Sequence, residues 1–89
     1  MQDNQKPLKA KNLKVIDHMG TLYATFDGSS MWRIDKLAFE LMRMCDGNRT
    51  FDQIINEVSE KAGLKPEDVK ISIRPIFEEL TKLKFILWD

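Results

Sequence analysis

The chain has 89 residues, with 14 Lys+Arg against 14 Asp+Glu, one cysteine and one histidine. A domain this small buries only about 60–65% of the surface its unfolded chain exposes, which leaves room for a binding face but little for a deep catalytic cavity. Zero net charge argues against a nucleic-acid binder, because such affinity comes largely from excess positive charge on phosphates. The lone Cys45 and lone His18 exclude an internal disulfide framework and a His/Cys metal cluster.

Residues 1–11 read as a flexible polar tail, with few apolar residues and Pro7 interrupting any pattern. Lys6, Lys9, Lys11 and Lys14 against Asp3 give residues 1–14 a net +3, so the rest carries −3. Such a tail is either a solubilising segment or an electrostatic handle for an acidic partner. Its start lacks the apolar stretch of a signal peptide, and the run Phe85–Trp88 is far short of the ~20 residues of a membrane helix. The expected setting is cytoplasmic, without a membrane partner, and an unpaired cysteine fits it.

Residues 12–89 read as a single domain. Leu13 to Ile16 begins a strand, and His18-Met19-Gly20 supplies a turn. Thr21 to Phe26 is rich in β-branched and aromatic residues, with Leu22, Ala24 and Phe26 on one face. Asp27-Gly28 is a strong turn signal before a third strand, Ser29 to Ile34, with Trp32 and Ile34 sharing a face and Met31 on the other. These segments predict a three-stranded antiparallel meander.

At Asp35 the period changes. Asp35 suits an N-cap, and Leu37, Ala38, Leu41, Met42 and Cys45 recur at helical spacing up to Gly47, expected as the C′ residue. Thr50-Phe51-Asp52-Gln53 is a capping box for a second helix with Phe51, Ile54, Ile55 and Val58 as its stripe and Gly63 at its end. Pro66, Glu67 and Asp68 open a third, with apolar Val69, Ile73, Ile76, Phe77, Leu80 and Leu83. Pro75 lies inside it, which predicts a kink near Ile71 to Arg74 or two consecutive short helices. Phe85 to Trp88 is expected to return to the body as an extended segment. The result is an α+β, winged-helix-like fold: a three-stranded antiparallel β-meander followed by three α-helices.

Chemistry is mostly absent. No phosphate loop, nucleophile elbow or paired-histidine motif occurs. His18 reads as an ordinary turn residue without an orienting partner, and Cys45 as a small core hydrophobe. The chain is expected not to be an enzyme and to hold no cofactor or metal.

One pattern is more specific. Ile34-Asp35-x-x-Ala38-x-x-Leu41-Met42-x-Met44-Cys45-Asp46-Gly47-x-x-Thr50-x-x-x-Ile54 resembles the signature of the PqqD-like family, over roughly residues 12–88. Asp35 stands where that family usually has Asn, an equivalent cap. The stretch from Val69 to Phe77 looks about one turn longer than usual. The resemblance implies a RiPP recognition element, a non-catalytic peptide chaperone. Such domains bind the leader segment of a ribosomally made precursor peptide and present it to a modifying enzyme, often a radical SAM (S-adenosylmethionine) enzyme. In the family the leader adds as a strand between the third strand and the third helix.

That mode implies a groove along Ser30, Met31, Trp32 and Arg33, facing Lys70, Ile73, Arg74 and Phe77. An edge strand offers unpaired amides and carbonyls, and alternate side chains of the added strand enter pockets beside it. Lys70 and Arg74, one helical turn apart, would meet leader carboxylates. The plainer reading makes Trp32 and Phe77 core and Arg74 a solvated charge. Two alternatives stand beside the chaperone reading. In a winged-helix DNA-binding regulator, Lys70, Ser72 and Arg74 would read the major groove, although residues 65–84 carry only a net +1. In the other, the chain is an adaptor for some other peptide. A free sheet edge also invites a strand-mediated homodimer.

Overall fold

The computed structural model describes residues 2–89. The chain runs β1 (Pro7–Lys9), β2 (Lys14–His18), β3 (Thr21–Thr25), β4 (Trp32–Ile34), α1 (Lys36–Arg43), α2 (Phe51–Ala62), α3 (Pro66–Lys82) and β5 (Ile86–Trp88). Strands β2, β3 and β4 form the expected antiparallel meander, in that order, and the three helices follow, giving an α+β fold. A second, two-stranded antiparallel sheet joins β1 to β5. Among the described residues no helix is long and apolar enough to cross a membrane.

The meander is set by its turns. His18 pairs with Thr21 across Met19-Gly20, and both turn residues have positive φ. That is the two-residue geometry whose twist matches the strands it joins. The β3–β4 turn is organised by Asp27. Its carboxylate accepts from the amides of Ser29 and Ser30, both at 2.8 Å. These two amides, Ser30 first, hold the Asp27 carboxyl below its usual range. Register then places Ala24 opposite Trp32 and Leu22 opposite Ile34. Ala24 and Ile34 face the core, while Trp32 keeps 51% of its surface exposed.

The helix signals act as expected at most ends. The Asp35 carboxylate accepts from Ala38 N at 2.7 Å, and Thr50 and Gln53 form the reciprocal capping box on α2. Gly63 closes α2 in the left-handed conformation. The first helix ends sooner than its apolar spacing suggests. Met44 is its C-cap, so Cys45 and Gly47 lie beyond it, and Leu37 is half-exposed rather than part of the buried stripe. Beyond that end, Cys45 O accepts from Lys9 N and Gly47 N donates to Pro7 O, both at 2.9 Å. The backbone there serves β1 instead of another helical turn.

Within the segment read as a flexible tail over residues 1–11, Pro7–Lys9 thus forms a paired strand; Met1 itself lies outside the described residues. Pro7 and Ala10 are buried. β1 lies between β5 and the α1–α2 loop, with Leu8 bridged to Asp46. Gly47 permits the approach: its φ is +79°, and a Cβ there would lie 3.3 Å from Leu8 Cδ1. Further out, Lys6 N donates to the Asp89 carboxylate and Gln5 Nε2 to Asp89 O. Proline suits β1 because a strand position whose N–H has no ladder partner costs nothing to fill with it.

The third helix is one element from Pro66 to Lys82, not two. Pro75 has no N–H to give Ile71 O, but both residues lie on the exposed side, where water can serve that carbonyl. The opposite face carries Val69, Ile73, Phe77 and Leu80 into the core. Phe77 packs edge-on to Phe51 at 5.1 Å, and both lie 5.9 Å from Trp88. Trp88 Nε1 donates to Thr81 Oγ1 at 2.9 Å, so the returning segment is pinned by burial and by one polar bond.

Candidate functional site

The outer edge of β4 is the starting point. β4 is the last strand of the β2-β3-β4 order, and among the described residues no strand pairs with its far side. Its backbone can therefore accept a further strand. Ser30, Met31, Trp32 and Arg33 all lie along this segment and all are exposed. Met31 keeps 46% of its surface in solvent. Arg33, opposite Tyr23, lines a separate hollow with Asp17, Thr21 and Lys36.

Beside the edge lies a small hollow of about 200 Å³. Its walls are Ala24, Phe26, Ser30, Trp32, Leu83 and Phe85, with Thr25 and Asp27 at the turn. Phe85 is buried and holds two half-exposed rings in place: Phe26 at 5.7 Å and Trp32 edge-on at 6.4 Å. The hollow is almost wholly apolar in its walls, and it adjoins unpaired strand backbone. An apolar side chain of an added strand fits such a place. Phe26, Leu83 and Phe85 were not among the residues expected there. Phe26 shares the parity of Ala24 and Trp32, and that was the signal available for it.

The helix side of the expected groove is differently arranged. Ile73 and Phe77 are 3% and 0% exposed and present no surface to a ligand in this conformation. Lys70 and Arg74 are on the surface, but they line a hollow with Glu67, Ile71, Pro75 and Glu78, not the one beside Trp32. Both are ion-paired to Asp3, Arg74 at 3.4 Å. Arg74 also lies over the Phe51 ring at 5.3 Å. The hydrogen bond from Lys70, aided by the charges of Lys70 and Arg74, holds the Asp3 carboxyl below its ordinary value against some desolvation. For a DNA-reading helix these two cations would be the main contacts, and here the Asp3 carboxylate pairs with both and offsets one of their two charges.

Among the described residues no catalytic constellation is drawn together. His18 ends β2 on the exposed hairpin, and no group of three or more His, Cys, Asp or Glu suited to a metal occurs among the described residues. Cys45 Sγ donates to Leu41 O at 3.3 Å, and burial, with the Asp46 charge, pushes its thiol up to about 12. The thiol is free and packs within the core.

The family model described as Coenzyme PQQ synthesis protein D (PqqD) covers residues 15–86. No curated protein and no solved structure matches the chain. The matched span contains almost the whole meander, all three helices and the start of β5, but not β1. With that span covered, the chain belongs to the PqqD family of RiPP recognition elements, whose members serve as peptide-binding accessory proteins.

Proposed function

We propose that this chain captures the leader segment of a ribosomally made precursor peptide by strand addition to β4 and presents it to a modifying enzyme of the radical SAM class. The observation that carries the proposal is the unpaired edge of β4 lying against an apolar hollow walled by Trp32, Leu83 and Phe85. The chain itself does no chemistry; it lowers the cost of placing an extended peptide in front of a catalyst.

The energetics call for both features. A strand as short as Trp32–Ile34 can give an added strand two or three backbone hydrogen bonds. At about 0.5–1.5 kcal/mol net each, that falls well short of the ~8 kcal/mol of a micromolar complex. One large apolar side chain buried in the hollow adds about 1.5–3 kcal/mol. Ser30, Met31, Trp32 and Arg33 line the path, with Met31 and Arg33 on the face opposite Trp32. Lys70 and Arg74 offer charge to an acidic part of the same ligand.

The test is a titration with synthetic leader segments from short reading frames next to this gene. The expected result is a change in Trp32 fluorescence on binding, and about ten-fold weaker binding for Trp32→Ala, the loss of one partly buried aromatic contact. If Trp32→Ala binds as tightly as the parent chain, the anchor is elsewhere.

A further inference from the structure

Residues 3–5 lie against α2 and α3 as a short peptide carrying one carboxylate. Asp3 O accepts from Asp52 N at 3.0 Å and Gln5 O from Phe51 N at 2.9 Å. Those are amides of the first turn of α2, which have no acceptor within their own helix. The Asp3 side chain meets Lys70 and Arg74, one turn apart on α3, with Arg74 held over the Phe51 ring. Side-chain exposure is 33% for Lys70, 35% for Arg74 and 48% for Asp3, so the arrangement is open at the surface. Glu67 and Glu78 line the adjoining hollow, but neither forms an ion pair with the two cations. The matched family span begins at residue 15, so the acid that fills this place comes from outside it.

We propose that Lys70, Arg74 and the start of α2 form a binding site for a carboxylate-bearing peptide, and that Asp3 fills it in cis until an acidic side chain of the ligand displaces it. Identifying that ligand with the precursor leader rests on the reading above; the carboxylate site does not. Displacement needs only residues before Pro7 to move. β1 stays held by β5 and by Gly47. Two exposed ion pairs and the two backbone bonds from Phe51 N and Asp52 N make a latch that a carboxylate-bearing peptide can open by replacing both kinds of contact. Salt weakens ligand and latch alike, since both use screened surface charge.

The experiment uses the full chain at low ionic strength and acetyl-hexaglutamate amide as the probe, followed by backbone amide shifts. The expected response centres on Phe51 and Asp52. Asp3→Asn removes the internal carboxylate competing for Lys70 and Arg74, while the backbone bonds from Phe51 N and Asp52 N remain, and tightens binding about five-fold, the upper range for an exposed ion pair. Glu60→Gln, which changes net charge equally on the exposed side of α2, leaves binding unchanged. Lys70→Gln with Arg74→Gln abolishes the response while β2–β4 amide shifts report an intact fold. Equal effects of Asp3→Asn and Glu60→Gln, or a response that survives loss of both cations, overturn the proposal. Hexaglutamate binding as described, with no leader segment binding at β4, supports the carboxylate site and separates it from the chaperone reading.

Discussion

Gly47→Ala tests whether the N-terminal strand is part of the folded body. Gly47 and Gly28 have almost the same backbone, φ +79° and +80°, but different surroundings. A methyl at Gly28 meets nothing within 4 Å, whereas one at Gly47 meets Leu8 Cδ1 at 3.3 Å. Left-handed backbone costs an L-residue about 1–2 kcal/mol, partly offset by the ~0.4–1 kcal/mol that alanine removes from unfolded-chain entropy. Gly28→Ala should therefore destabilise by about 1 kcal/mol. Gly47→Ala adds the cost of forcing the end of Leu8 aside, about 0.5–1.5 kcal/mol. In urea, with a slope near 1–1.5 kcal/mol/M for a small domain, the midpoints fall by about 0.7–1 M and about 1–2.5 M. Trp32 and Trp88 report the transition by fluorescence. In a Leu8→Ala background the two glycine variants should converge, because the added methyl then meets only the Cβ of residue 8 at 3.8 Å, an ordinary contact. Equal midpoints for Gly47→Ala and Gly28→Ala in the parent chain would mean that β1 does not dock on the α1–α2 loop.

Three further outcomes follow from single features. Pro75→Ala restores the N–H missing opposite Ile71 O on the exposed side of α3; it should stabilise by about 1–2 kcal/mol and raise the thermal midpoint by about 5–10 °C, and a lowered midpoint would mean that the ring makes contacts worth more than the hydrogen bond. Cys45, buried and with its thiol pushed up to about 12, should resist a disulfide-exchange reagent at pH 8 and label only as urea opens the fold; fast labelling of the native chain would contradict its burial. The carboxyl of Asp27 is depressed in the folded chain, so the stability it contributes is present above the unfolded value near 3.9 and is lost as pH falls through the folded one. Asp27→Asn should flatten the loss of stability on acidification, measured by urea midpoints between pH 6 and pH 2, and an unchanged acid profile would assign that loss to other carboxylates.

Local signals carried most of the architecture. Asp35, Thr50 with Gln53, Gly63 and Pro66 each mark a helix end through a bond or dihedral that neighbouring residues determine. The alternation in Thr21–Phe26 placed Ala24 inward for the same reason. What was not legible depends on contacts between distant parts of the chain. β1 has no periodicity; it is held by backbone pairing to β5 and Gly47, nearly the whole chain length and forty residues away. The C-terminal limit of α1 gave way to that same pairing. The Asp3 contact with Lys70 and Arg74 spans 67 and 71 positions, and no spacing rule joins them. On the site, the free edge of β4 followed from strand order; the half-exposure of Trp32 did not, because its parity sets it on the face of buried Ile34. The hollow did not, because Leu83 and Phe85 reach it only once α3 runs unbroken past Pro75 and the chain reverses into β5.

The central claim is that a precursor segment becomes a strand beside β4. The direct measurement is amide hydrogen exchange and inter-strand NMR contacts on the full chain saturated with a leader segment. Slowed exchange confined to Met31–Ile34, with antiparallel or parallel backbone contacts from the peptide to that strand and side-chain contacts to Trp32 and Phe85, is the predicted result. A bound peptide that leaves exchange along β4 unchanged, and contacts α1 or the outer face of the meander instead, would contradict it.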